Sequence, residues 1–373
     1  MKIYNTLSGK TEEFKPSEPK KIRMYVCGIT PYDKSHLGHA RTIVAFDIIR
    51  RYFLSKGYSV TYVQNVTDID DKIIRRAHER RVSPLELSKK YAEESEQEFE
   101  TLGVMKPDFS PKVSEKIPEI IELIGAIERN GFAYATSSGV YFDVLKFKKY
   151  GKLSKQNADA IKAGARIEVD EEKKNPQDFA LWKFGEEEGV TFDSPWGRGR
   201  PGWHIECSAM SRSILGDTLD IHGGARDLIF PHHENEIAQS EAATGKQFVK
   251  LWMHTGFLTV NSEKMAKSLG NFITIDDALH KYRFSPQQIR MFFALTHYRS
   301  PIDFSESAIV AAGNSLSTLH SAISAARTYS SGAGREKGIA GVGGESDRVL
   351  ASLAKETEKK FVAAMDSDFD TPN

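Results

Sequence analysis

Residues 24–41, MYVCGITPYDKSHLGHAR, constrain the fold more than any other stretch of this chain. Met24-Tyr25-Val26 is a short apolar run and reads as a buried strand ending at Cys27-Gly28. A polar turn follows, and His36-Leu37-Gly38-His39 opens an amphipathic helix expected to run to about residue 54, with Gly57 placed to stop it. Residues 58–66, YSVTYVQNV, alternate and are β-branched, so a second strand is expected there. Thr67-Asp68-Ile69-Asp70-Asp71 then caps a helix beginning near Lys72. Strand, helix, strand, helix in succession predicts a doubly wound parallel α/β sheet of the Rossmann-like kind. In such sheets ligands bind at the carboxyl ends of strands, beside the positive ends of the following helices. The opening stretch therefore places a thiol, two imidazoles and a helix N-terminus where a ligand would sit.

The rest of the chain divides into expected segments. Residues 1–130 form the first half of the catalytic domain, including a charged surface helix over 83–102 and a second helix over 115–130. Residues 131–200 are an inserted α+β connective segment. It contains a hairpin around Ser137-Ser138-Gly139 and a polar loop or helix at 155–174, and it ends near Pro195-Trp196. Residues 201–260 return to the catalytic domain, with strands at 219–222 and 251–260 and a helix at 232–243. Residues 261–304 carry a lysine-rich loop and a helix over 276–295. Residues 305–373 begin a helical region, interrupted by a glycine-rich linker at 330–344. Asp370-Thr371-Pro372 is a helix-start signal, so a helical domain is expected to be cut short there.

Composition narrows the partners. Fifty-one basic and 51 acidic residues cancel, so nucleic-acid binding must come from local patches and not from a global field. No apolar run approaches the ~20 residues of a membrane span, and the N-terminus has no signal-peptide core. No membrane partner is expected, and the cytoplasm is the expected compartment. Cys27 and Cys207 are the only cysteines. In such a chain a shared metal site is favoured over a disulfide.

Four constellations could carry chemistry. His232 and Glu236 share a helix face, and with two thiolates they make a donor set suited to tetrahedral zinc. A core cysteine and a surface ion pair would leave the same pattern. In His36-Leu37-Gly38-His39 the glycine lets a base or phosphate approach, and the histidines can donate to a phosphate gaining charge. From these four residues alone, an ordinary helix start with exposed histidines is the better reading. Lys264-Met265-Ala266-Lys267-Ser268 can fold over a triphosphate, or can be a solvated loop. His222-Gly223-Gly224-Ala225-Arg226-Asp227 suits a nucleoside, with the carboxylate meeting ribose hydroxyls, or a tight turn with a capping acid.

His-Leu-Gly-His early and Lys-Met-Ala-Lys-Ser late resemble the two signatures of class I aminoacyl-tRNA synthetases. MYVCGITPYDKSHLGHAR, YVQNVTDIDDKI, GWHIECSAMS, HGGARDLIFPHHENEIAQSEA and GFLTVNSEKMAKSLGNF, in that order, resemble the cysteinyl-tRNA synthetases. The resemblance implies one zinc per chain on Cys27, Cys207, His232 and Glu236, bonded by the thiolate of the substrate cysteine. It implies catalytic roles for His36, His39, Lys264 and Lys267. It implies ATP, carried with magnesium, among Thr30, Gly38, His39, Gly224, Asp227 and Lys267. Gly28, Thr67, Trp203 and His222 would wall the cysteine pocket, with Thr67 near the amino group. The implied partners are ATP, L-cysteine and tRNA(Cys), and a monomer is expected. The implied reaction forms cysteinyl-adenylate and transfers cysteine to the 3′ end of tRNA. With its helical domain short, the chain is expected to make adenylate well and to charge tRNA poorly.

Two departures stand out. Ala266 replaces the usual serine between the loop lysines, which removes a hydroxyl and keeps both charges. Gly28–Asp33 and His39 resemble the variant of the mycothiol-pathway ligases, which join cysteine to a glucosaminyl-inositol amino sugar. Asp70-Asp71-Lys72, Asn261-Ser262-Glu263 and residues 268–272 resemble the tRNA enzymes. A catalytically silent zinc-binding paralogue is the remaining alternative, and intact His36, His39 and Lys267 count against it.

Overall fold

The computed structural model describes residues 1–156, 172–265, 269–330 and 345–372. Four parallel strands form the central sheet: β1 (Lys21–Ile29), β2 (Ser59–Val66), β3 (Leu219–Ala225) and β4 (Val249–Thr255). Their spatial order is β4-β3-β1-β2. The chain moves outward from β1 to β2 and later crosses back to β3 on the other side of β1. The switch point therefore lies between β1 and β3, where an open parallel sheet leaves a crevice at its carboxyl edge. The pairs Met24–Ile221, Tyr25–His222 and Val26–Gly223 set this register.

Alternation along β1 decides which side chain meets which layer. Met24 and Val26 point into one core with Ile3, Phe46, Phe53 and Met253. Phe46 comes from helix α1 (Leu37–Ser55), which covers that face. Tyr25 and Cys27 point to the opposite core with Ile205, Cys207, Ile237 and Trp252. These come from α2 (Trp203–Leu215), α3 (His232–Thr244) and β4. One residue of register slip in β1 would turn Cys27 away from Cys207.

The expected doubly wound α/β arrangement is what the chain adopts, with helices over both faces. The inserted segment is larger than a hairpin. Strands Ala133–Ala135 and Gly139–Phe142 pair antiparallel as expected, and Phe179–Phe184 and Gly199–Pro201 extend them to a four-stranded sheet. Lys183 and Arg200 from this sheet both bind Asp71, at 2.8 and 2.5 Å, and tie it to the catalytic layer. The polar stretch expected at 155–174 and the linker at 330–344 fall largely outside the described residues.

Two expected elements are broken in the structure. The strand over 251–260 divides into β4 and a separate strand, Leu258–Val260, which pairs with Ile302–Phe304 in another sheet. Gly256 sits at the break and donates to the Tyr298 carbonyl at 2.8 Å. The helix over 276–295 divides into a wide turn, Asp277–Lys281, and a helix, Pro286–Ala294. Arg283 takes a left-handed backbone (φ 57°) between them. Pro286 holds Ser285 extended, and a Ser285–Gln288 capping box starts the second piece. At the C-terminal end, helices Glu306–Ser330 and Glu345–Met365 lead to a turn in which Phe369 is buried against the first core. Asp370, Thr371 and Pro372 are in no helix.

Candidate active site and metal centre

Cys27, Cys207, His232 and Glu236 converge at the β1–β3 crevice, all buried. β1 delivers Cys27 at its carboxyl end, α2 delivers Cys207, and one face of α3 delivers His232 and Glu236 four residues apart. The two sulfurs are 3.9 Å apart, so the thiols are free and unbridged. Cys27 Sγ is 3.7 Å from Glu236 Oε1, and His232 Nε2 is 3.2 Å from the same oxygen. Donors around a tetrahedral zinc stand roughly 3.3–3.8 Å from one another, given bonds of about 2.3 Å to sulfur and 2.0 Å to nitrogen or oxygen. The spacing and the donor types fit zinc.

Electrostatics point the same way. Burial raises the Cys27 thiol well above its ordinary range, and neighbouring Cys207 and Glu236 add to this. Burial also raises Glu236 and holds His232 neutral, with its lone pair available. Three groups that ionise to anions face one another in a dry interior, and a cation is the natural compensation.

A second grouping overlaps the first: Cys27, His222, His233 and Glu236. His233 was not singled out from the sequence. Its Nε2 lies 3.3 Å from Cys27 Sγ, and its Nδ1 lies 2.8 Å from His254 Nε2. His222 Nε2 meets Glu236 Oε2 at 2.9 Å, a hydrogen bond that orients the carboxylate. His204 Nδ1 stands 3.0 Å from His232 Nδ1, on the far side of that imidazole from Glu236. His233 is three residues before Glu236, so helical spacing marked it as clearly as His232.

The helix start is built as follows. His36 is the N-cap of α1, and its Nδ1 accepts from the His39 N–H at 3.3 Å. The two imidazoles stack at 3.7 Å. Burial, then the neighbouring His36 and Lys72, holds His39 well below the usual imidazole range, and its Nδ1 is buried without a partner. A Cβ on Gly38 would lie 2.8 Å from His36 Nδ1, so the glycine admits the capping ring.

The other expected site residues are distributed around the crevice. Gly28 and Thr30 follow Cys27, and Gly28 N–H donates to Asn65 Oδ1 at 2.9 Å. Thr67 is buried just past β2, and its N–H donates to the Ile29 carbonyl at 3.0 Å. Trp203 opens α2, half exposed, with its ring 4.4 Å from that of His232. His222 is fully buried and stacks on Trp252 at 4.6 Å, so it faces the side-chain cluster and not open space. Gly224 is the penultimate residue of β3, and Asp227 is exposed in the turn Arg226–Ile229 beyond it. The main chain of Lys264 pairs with Thr259. Lys267 lies outside the described residues.

A Rossmann-like sheet with paired histidines at its first crossover helix is the arrangement that the resemblance to class I synthetases implies. A solved methionyl-tRNA synthetase from Mycobacterium tuberculosis, in complex with methionyl-adenylate, superposes with a TM-score of 0.72 at 16% identity, over 94% of this chain and 80% of that one. The family model for the class I (C) tRNA synthetase catalytic domain matches residues 13–314. Over the whole chain, cysteine–tRNA ligases of Thermococcus onnurineus and Methanococcus maripaludis are 50% and 52% identical, and the match spans 77% of each. That of Geobacter metallireducens is 51% identical, with 75% of its length matched. The chain belongs to the class I (C) tRNA synthetases, the family of the cysteine–tRNA ligases.

Proposed function

We propose that this chain is a ligase that activates L-cysteine with ATP and transfers it to the 3′ end of tRNA(Cys). The observation that carries the reading is the buried convergence of two thiols, an imidazole and a carboxylate at the end of β1, the strand that leads into the His36–His39 helix start. Family membership supports it independently.

In the first step the cysteine carboxylate attacks the ATP α-phosphorus. The bond to the β-phosphate bridging oxygen breaks, giving cysteinyl-adenylate and pyrophosphate. His36 and His39 donate to the α-phosphate as its charge builds, and Lys264 and Lys267 neutralise the departing pyrophosphate. The nucleotide lies along the main chain at Gly38 and Gly224 beside Thr30 in this reading, and Asp227 accepts from its ribose. Magnesium accompanies the triphosphate. In the second step a terminal ribose hydroxyl of tRNA attacks the acyl carbon, and AMP leaves. Much of the rate comes from positioning.

A zinc ion held by Cys27, Cys207, His232 and Glu236 would supply a strong bond to the substrate's thiolate, which serine's harder and less acidic hydroxyl cannot match. Shape alone separates such similar side chains weakly. Gly28, Thr67 and Trp203 enclose the rest of the amino acid, with Thr67 at its ammonium, and His222 acts from behind by orienting Glu236. The chain acts in the cytoplasm and as a monomer in this reading. Among the described residues no helix is long and apolar enough to cross a membrane.

The test is an acceptor assay with ATP and cysteine, offering tRNA(Cys) and glucosaminyl-inositol in parallel. Cysteinylated tRNA and no amino-sugar product is the expected result. Amino-sugar product alone would transfer the protein to the other ligase class. Absence of cysteine-dependent pyrophosphate exchange would make it a silent paralogue.

A further inference from the structure

The single-stranded end of a tRNA must enter the crevice for its terminal ribose to reach the acyl carbon, and the phosphates behind that ribose must pass the rim. Basic and acidic residues cancel over the whole chain, so those phosphates need a local source of positive charge. Helix Asp71–Arg80 starts just past the carboxyl end of β2. Lys72, in its first turn, lies over the ring of Tyr32, with Nζ 5.7 Å from the ring centre. Tyr32 belongs to the turn between Cys27 and His36, so Lys72 stands on the rim between the donor cluster and the His36–His39 helix start. After burial and His36, its charge is the third influence that holds His39 low. Arg75 follows three residues later, so the two side chains leave the same face of the helix, about 5–6 Å apart at their Cβ atoms. Both are exposed, while Ile73, Ile74 and Ala77 pack the other face.

The acids on and around this helix are held elsewhere. Asp71 binds Lys183 and Arg200. Asp33 binds Arg76 Nη2 at 2.6 Å, and Glu79 binds Arg76 Nη1 at 3.0 Å. Glu187 lies 2.6 Å from His78 Nε2, and Asp70 caps the helix through the Lys72 N–H at 2.7 Å. Among the described residues neither Lys72 nor Arg75 forms an ion pair, although Asp71 and Glu79 both lie one turn from Arg75. The next helix, Pro84–Thr101, is arranged differently. Its Lys89 and Lys90 each face a glutamate one turn on, Glu93 at 4.0 Å and Glu94 at 3.9 Å. Like charges one turn apart weaken a helix, and an anion bound across both turns the repulsion into attraction.

We infer that Lys72 and Arg75 bind the phosphate backbone of the tRNA 3′ strand and so position its terminal ribose over the crevice. The inference rests on the tRNA-ligase reading and adds to it the surface that takes the acceptor. It also separates the two acceptors: a polyanion gains from two unpaired cations, and an amino sugar, which carries an ammonium, does not.

The experiment removes the charges with Lys72→Gln, Arg75→Gln and the double variant. Filter binding of a tRNA(Cys) transcript over a range of KCl concentrations reads the contact, and cysteine-dependent ATP–pyrophosphate exchange reads the first chemical step. Log affinity falls against log salt with a slope of about −0.7 per phosphate neutralised on a single strand. Each single variant should therefore flatten the slope by about 0.7 and weaken binding roughly fivefold at about 0.1 M salt, and the double variant roughly 25-fold. KM for cysteine and for ATP in exchange should stay within about twofold, because phosphate contacts of this kind position the RNA only. Lys72→Arg, which keeps the charge, should keep the slope. Lys89→Gln, at a cation that already has its glutamate, should change neither measurement. A transcript lacking the single-stranded 3′ end should bind wild type and the double variant alike. An unchanged salt slope, a loss of exchange in parallel with tRNA binding, or an equal loss with the shortened transcript would each overturn the assignment. Wild type that exchanges but does not bind tRNA even at low salt would overturn it as well. Lack of cysteine-dependent exchange in wild type, or transfer of cysteine to the amino sugar alone, would instead remove the tRNA-ligase reading.

Discussion

Gly28→Ala tests whether the β1–β2 junction holds the site as described. A Cβ built on Gly28 would lie 1.7 Å from the Asn65 carbonyl oxygen and 2.9 Å from its carbon. A comfortable carbon–oxygen contact is about 3.3 Å. The strands would have to part by roughly 1.6 Å, and the obstacle is backbone, which cannot swing aside. The ladder is already irregular here, with a register shift between Val26 and Ile29 where the two strands run on to Val66. Parting them breaks the 2.9 Å Gly28–Asn65 hydrogen bond and displaces Cys27, the adjacent residue. Overpacking of this kind costs about 1–3 kcal/mol and the lost hydrogen bond about 1 more, so a loss of about 3 kcal/mol is expected. Urea unfolding reads the stability, and cysteine-dependent pyrophosphate exchange with zinc analysis reads the site; all three should fall. Gly125→Ala is the control. It lies within helix Ile117–Arg129, and its Cβ would meet only the mobile end of Arg129, at 3.2 Å. Helix propensity predicts a gain of roughly 0.5–1 kcal/mol there. A Gly28→Ala protein within about 0.5 kcal/mol of wild type, with unchanged exchange, would refute the reasoning.

Cys207→Ser should lose most of its bound zinc by metal analysis while keeping its helical circular dichroism; unchanged zinc would contradict the donor set. Arg41→Met should cost about 3 kcal/mol in urea unfolding, because the buried guanidinium donates to the carbonyls of Phe293, Thr296 and His297 at 2.6, 3.2 and 2.9 Å and closes the end of helix Pro286–Ala294. Burial, and then nearby Asp276, push Glu98 up to about 7 from 4.5. An acid raised in the folded state binds more protons folded than unfolded, so its ionisation lowers stability as pH rises from about 4.5 through about 7. Glu98→Gln should therefore melt higher than wild type at pH 8, by an amount screened to about 1 kcal/mol or less by the exposed part of the side chain, with the difference fading toward pH 5. A difference that does not change with pH would disprove that cause.

The parts of the fold visible in the sequence were those written locally. The apolar run at Met24–Val26, the polar turn and the helix from Leu37 follow one another, and neighbouring residues suffice to read them. The apolar run marked a buried strand, and only the structure shows which of its residues face which core. Elements completed by distant partners were not legible. Phe179–Phe184 is a strand because residues 139–142 lie beside it, and the helix expected across 276–295 is broken by a left-handed Arg283 that propensity does not reveal. The site shows the same division. His232 and Glu236 share a helix face and were readable as a pair, whereas Cys27 and Cys207, 180 positions apart, meet only because α2 packs on β1. The cysteine count already favours a shared metal site for them, and the family resemblance implies the full four-residue set. His233 was passed over although its spacing to Glu236 was equally good. The hydrogen bonds from Gly28 to Asn65 and from Asn65 to Thr67 left no sequence signal, because they join the ends of two strands.

The central claim is that the buried donor set holds a metal to which the substrate's sulfur binds. Replacing the metal with cobalt(II) and recording the visible and near-ultraviolet spectrum during titration tests it most directly. Cysteine should add sulfur-to-cobalt charge-transfer intensity beyond that of two protein thiolates and saturate at one equivalent, and serine should add none. A cobalt protein whose spectrum is indifferent to cysteine, or responds equally to serine, would contradict the account.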